Sequence, residues 1–277
     1  MREAVRMIEK KGEEGKVRNV LLAMFGTVAC LAFILGSHLY WENKVAKVVK
    51  EARTETGVAA ESGQADESVN PIVARMKRLP ADAQAAIKRA VEENRPIRLV
   101  IAGSESTPEK GGWPDLLKQA LDEAYGEGAF QIIVHEYEGL TTADADRQRI
   151  AADWANDKPD LVLLEPFLLN DNGVIVIDDT LDHIESIIGQ LKSAAPDAVV
   201  ILQPPNPIYN ATYYPKQVEE LKAFATENHY AYFDHWPAWP DYKSEEIDQY
   251  VDPESDLPTT EGAKRWAEAL AEYFIAQ

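Results

Sequence analysis

Ser104 stands in Ala102-Gly103-Ser104-Glu105-Ser106-Thr107, directly after the apolar run 97–102. A serine at a turn between a strand and a helix can be exposed for attack on an acyl carbon. Backbone N–H groups beside it can then hold the oxyanion that forms. Gly-Ser after a strand is also an ordinary turn, so this loop carries little by itself. Two later loops add polar groups of the right kind: Gly139 in Tyr137-Glu138-Gly139-Leu140-Thr141-Thr142, and Asn170-Asp171 in the block 165–173. A base is needed to take the serine proton, and imidazole is the usual one. His235, in Phe233-Asp234-His235-Trp236, is the best placed, although a histidine among tryptophans is more often a packed structural residue. His135 closes another apolar run and is a weaker candidate. His183 falls within a predicted helix, His229 lies at a helix end, and His38 lies in an apolar N-terminal stretch.

The elements that must position these residues alternate regularly after Pro96. Apolar runs of strand length occupy 97–102, 130–134, 160–164, 198–203 and 230–233. Amphipathic stretches of helical period occupy 113–125, 143–154, 181–192, 218–228 and 261–275. Strand and helix in alternation predict an α/β domain with a parallel five-stranded sheet covered on both faces. Sites in such sheets form at the carboxyl ends of the strands. The loops 103–112, 135–142, 165–176, 204–215 and 234–260 are therefore the ones to inspect, and they hold the residues named above.

Gly-Ser after the first strand, Gly-x-Thr-Thr after the second and Asn-Asp after the third resemble the SGNH (GDSL) hydrolase family over about 97–277. The resemblance implies a three-layer flavodoxin-like fold and hydrolysis of esters on lipids, acyl thioesters or carbohydrates. Setting Ala-Gly-Ser against the family's Gly-Asp-Ser puts the nucleophile on Ser104. A frame shifted by one would put Glu105 there, and Ser106 is a fallback. The oxyanion glycine falls on Gly139 and the oxyanion asparagine on Asn170, with Leu168 where the family has a further glycine. The last motif, Asp-x-x-His-Pro, falls on Glu254-Ser255-Asp256-Leu257-Pro258. Glu254 stands for the aspartate, and Leu257 takes the place of the histidine. Leucine moves no proton. Three outcomes stay open: His235 or another group supplies the base, the domain binds without turnover, or weak hydrolysis persists on the oxyanion site alone.

Ahead of this domain, residues 20–41 carry no formally charged side chain and end in Tyr40-Trp41. About 20 such residues cross the roughly 30 Å hydrocarbon layer. Arg2, Arg6, Lys10, Lys11, Lys16 and Arg18 precede the run, which orients a single span N-in with the rest of the chain extracytoplasmic. The expected organisation is a short cytoplasmic segment 1–19, an anchor 20–41, a polar stalk with short helices 42–94, and the hydrolase-like domain 95–277. The formal net charge is −19, nearly all of it beyond residue 95, which disfavours nucleic acid as a partner. Tyr209, Tyr213, Asn206 and Asn210 after the fourth strand suit either a sugar ligand or a rigid proline-fixed loop. The expected partners are thus an acylated small molecule or glycan and the membrane itself. No cofactor or metal motif is visible: there is no phosphate loop, no paired cysteine and no His-x-x-x-His.

Overall fold

The computed structural model describes residues 70–276, within a compact unit that spans Glu67–Gln277. Five strands form its centre: β1 (Ile97–Gly103), β2 (Phe130–Glu136), β3 (Leu161–Leu164), β4 (Val199–Leu202) and β5 (Ala231–Tyr232). All pair in parallel in the order β2-β1-β3-β4-β5. This is the flavodoxin-like doubly wound order, with a crevice where the winding reverses at β1 and β3.

Alternate residues of each strand face opposite layers, because side chains alternate across a pleated sheet. Leu99, Ile101, Leu163 and Ile201 join one core, and Val100, Val162, Leu164 and Leu202 the other. The helices, in chain order, are α1 (Pro71–Ala74), α2 (Ala81–Glu92), α3 (Trp113–Tyr125), α4 (Thr142–Gln148), α5 (Ala151–Asn156), α6 (Leu168–Asp171), α7 (Ile177–Ala194), α8 (Tyr214–Glu227) and α9 (Thr260–Phe274). α2, α3 and α9 cover the first core; α4, α5, α7 and α8 cover the second.

Two features differ from the sequence expectation. The stretch 143–154 is two helices rather than one. Arg149 adopts a left-handed conformation (φ 56°) that ends α4, and α5 restarts at once. The unit also begins before residue 95. α2, expected in the stalk, buries Ala83, Ala86, Ile87 and Ala90 completely, and Met76 ahead of it is buried too. A stripe at positions 83, 86, 87 and 90 is one face of a helix, and the domain supplies its partner. Arg75 and Arg78 bond the carbonyls of Ala124 and Glu272, tying this segment to α3 and α9. Among the described residues, no helix is long and apolar enough to cross a membrane. The expected anchor 20–41 and most of the expected stalk lie outside them.

Since α2 completes the first core, Ile87→Ala should cost about 2–5 kcal/mol of unfolding free energy, the usual loss for a buried isoleucine cut to alanine. Denaturant unfolding monitored by tryptophan fluorescence checks this. An unchanged midpoint would show that α2 contributes nothing to the core.

Candidate functional site

The loop after β1 is organised around a buried acid. Glu165 follows β3 and is fully buried. Its Oε2 accepts the Ser104 backbone N–H (2.7 Å), the Ser104 hydroxyl (2.7 Å) and the Thr107 hydroxyl (3.3 Å). Its Oε1 accepts the Phe167 N–H (3.1 Å). Gly103 makes the approach possible: a Cβ there would lie 2.6 Å from Glu165 Oε2 and 2.6 Å from Thr107 Oγ1. Among the described residues, no cation pairs with the carboxylate. Its four donors pull the pKa down, but burial outweighs them and pushes it up to about 7.

Ser104, the expected nucleophile, therefore points into the core rather than into the crevice. It is fully buried, and its Oγ donates to Glu165 while accepting the Ser106 N–H (3.2 Å). The next residue points the other way. Glu105 Oε2 accepts the Gly139 N–H (3.1 Å) and the Asn170 side-chain amide (3.1 Å). These are the two donors expected to converge on an oxyanion, and they do converge, on a carboxylate oxygen of the protein itself.

Each donor is held by its own local structure. Gly139 takes a positive φ of 69°, a conformation glycine adopts without strain, in the turn between β2 and the Thr141 capping box of α4. Asn170 lies on α6, and its Nδ2 also donates to the Leu140 carbonyl (3.0 Å). Both partners of that amide nitrogen are acceptors, which fixes which way the side chain is turned. The adjoining Asp171 is buried and accepts from Thr142 and Thr180, stapling α6 to α4 and α7.

A cleft of about 410 Å³ opens over this turn, with Glu105, Ser106, Trp113, Glu136, Glu138 and Leu257 among the residues around it. Leu257, at the histidine position of the resembled motif, thus reaches the same cleft as Glu105. Glu254, expected to stand for the aspartate, is exposed in a turn where its N–H bonds the Asp252 carboxylate (2.8 Å). It is not among the residues that line the cleft.

None of the described histidines lines this cleft. His235, the expected base, is not among the residues that line the cleft. It is buried and stacks on Trp266 at 4.2 Å, while the other stacking partner of Trp266 is Trp113, at 4.8 Å. Trp239 Nε1, a donor only, bonds His235 Nδ1 (2.8 Å), so the ring proton sits on Nε2 and is given to the Pro204 carbonyl (2.8 Å). Both nitrogens are engaged and the ring is buried, and the imidazole is driven down to a pKa of about 4, chiefly by burial. His135 pairs with Asp157 (2.7 Å), and His183 Nδ1 lies 3.2 Å from the Thr142 hydroxyl. His38 lies outside the described residues.

The aromatic loop after β4 is largely internal structure. Asn206 is buried and donates to the Asp256 carbonyl (2.9 Å), and the Trp236 indole holds the Pro205 carbonyl (2.8 Å). Tyr209 and Tyr213 are exposed, and neither lines the cleft.

Three carboxylates of the site, Glu105, Glu136 and Glu138, had no assigned role in the sequence. One signal for Glu105 was present. Setting Gly103, rather than Ala102, against the glycine of Gly-Asp-Ser places Glu105 on the serine and Ser104 on the aspartate.

Titration separates the buried groups. The Glu165 carboxyl signal in 13C NMR should move with a midpoint near pH 7, well above an ordinary glutamate. For His235 the folded pKa of about 4 lies below the ordinary 6.5, so between these values the unfolded chain binds the extra proton. That contribution to stability is present above pH 6.5 and is lost as the pH falls toward 4. A phenylalanine at 235 (His235→Phe) should flatten this part of the stability–pH curve; a curve of unchanged shape would contradict the assignment.

No known family model matches the sequence, and no curated protein matches it. Solved structures do. A G-D-S-L family protein from Desulfitobacterium hafniense superposes with a TM-score of 0.52 at 18% identity, covering 64% of this chain and 99% of the other. A GDSL-like protein from Parabacteroides merdae gives 0.56 at 11% identity, covering 65% and 96%. A catalytic mutant of Axe2, an acetylxylan esterase from Geobacillus stearothermophilus, gives 0.52 at 16% identity, covering 65% and 94%. At these identities the likeness speaks for the fold, which is that of the SGNH/GDSL hydrolases.

Proposed function

We propose that this chain is a membrane-tethered SGNH-fold domain that binds a ligand in the esterase crevice without hydrolysing esters. One observation carries the reading: the carboxylate of Glu105 accepts both donors that would otherwise hold an oxyanion. A tetrahedral intermediate needs those donors for its own negative oxygen, and a fixed carboxylate competes for them and repels it. A carboxylate is also what ester hydrolysis leaves behind, so Glu105 stands where a bound acid product would stand. The remaining machinery agrees. The Ser104 hydroxyl is buried against Glu165, and Leu257 brings no proton acceptor to the cleft. Acetylxylan ester hydrolysis, the activity named for the similar Axe2, requires groups that this cleft does not present.

The tether rests on the sequence: an uncharged run at 20–41 between basic flanks, with the acidic domain following it. In this topology the crevice faces outside the cytoplasm, where glycans and acylated envelope molecules are the ligands within reach.

Hydrolysis of p-nitrophenyl acetate by the full chain tests the reading. The wild type and Ser104→Ala are expected at the same background rate. The double substitution Glu105→Ser with Leu257→His restores a hydroxyl and an imidazole to the cleft. It is expected to raise the rate by about a hundredfold, the lower end of what a positioned general base contributes. Wild-type turnover that disappears in Ser104→Ala would overturn the proposal.

A further inference from the structure

We infer that the cleft beside Glu105 is a binding site for a small organic amine, with the ammonium group among Glu105, Glu136 and Glu138 and an apolar body against Trp113, Leu257 and Pro258. The inference rests on the reading of this crevice as a binding site without turnover.

Three observations support it. The first is charge. Three carboxylates line the cleft, and no lysine, arginine or histidine does. Glu136 and Glu138 are exposed ends of the same strand and turn, and Glu138 makes no hydrogen bond or ion pair among the described residues. Three like charges around one cavity repel one another, and a cation entering it relieves that repulsion.

The second is an unpartnered buried hydroxyl. Ser106 is 1% exposed and lines the cleft. Its N–H bonds Ser104 Oγ and its carbonyl takes the Trp113 indole N–H, so its backbone is satisfied. Its Oγ has no hydrogen-bond partner among the described residues. Buried hydroxyls without partners are uncommon, and here a ligand N–H can supply one.

The third concerns the kind of cation. Among the described residues, no group of three acid, histidine or cysteine side chains is arranged to hold a metal ion. Meanwhile Trp113, Leu257, Pro258 and Ala263 give it an apolar wall, which a hydrated metal ion would not use and a hydrocarbon body would. The substitution that removes the imidazole position thus supplies part of that wall.

Isothermal titration calorimetry of the full chain with cyclohexylamine, and with cyclohexanol as its uncharged counterpart, tests this. Cyclohexylamine should bind saturably at one site and cyclohexanol should not. Glu138→Gln, which keeps the shape and removes a surface charge, should weaken amine binding by about tenfold, in the range of a lost charge partner at a binding site. Ser106→Ala should weaken it as well. Equal binding of the alcohol, unchanged affinity in Glu138→Gln, or no saturable amine binding would each overturn the inference. Its failure is separable from that of the binding reading: ester hydrolysis dependent on Ser104 defeats the latter, whereas a chain that neither hydrolyses esters nor binds amines defeats only the amine site.

Discussion

Glu165 sets the direction of everything that follows β1. Its carboxylate is buried with no cation among the described residues beside it, a costly arrangement unless its oxygens are filled by donors. The Ser104 N–H and hydroxyl and the Thr107 hydroxyl supply them, and Gly103 leaves the space in which they meet. Once Ser104 is turned inward, Glu105 is turned toward the crevice. The buried acid thereby decides which side chain of the loop faces Gly139 and Asn170. It also ties the loop after β1 to the loop after β3, the two strands at the switch point of the sheet.

From that constraint the character of the crevice follows. The donors at Gly139 and Asn170 are built as an oxyanion site would be, on a glycine turn and a short helix, each fixed by contacts of its own. What they hold is a carboxylate oxygen of the protein itself. An acid in that position makes the cavity electronegative, and Glu136 and Glu138 extend the same sign to its rim. The tryptophan, leucine and proline opposite them give it a dry side.

Much of this was readable from the residues. All five strands and the major helices were legible because short β-branched runs alternate with amphipathic stretches; the family resemblance singled out Gly139 and Asn170, and the structure brings them together at Glu105. Three things were not. The left-handed Arg149 that divides α4 from α5 carries no composition signal, since arginine continues a helix readily. The membership of α2 in the domain depended on finding what its alanine face packs against. The facing of Ser104 and Glu105 depended on Glu165, 61 residues beyond Ser104 in the chain, whose carboxylate takes the Ser104 N–H and hydroxyl and so turns that side chain inward. For His235, Trp236 and Trp239 beside it in the sequence gave fair warning: Trp239 takes one ring nitrogen and a carbonyl the other, while the ring face goes to Trp266, distant in the chain.

The central claim is that a carboxylate, not an activated serine hydroxyl, occupies the oxyanion site. Exposure of the full chain to a fluorophosphonate, followed by intact-mass and peptide mass spectrometry, addresses it directly, because such reagents phosphonylate serines that are both accessible and activated. The account predicts no adduct on the wild-type chain. An adduct on Ser104 or Ser106 would contradict it.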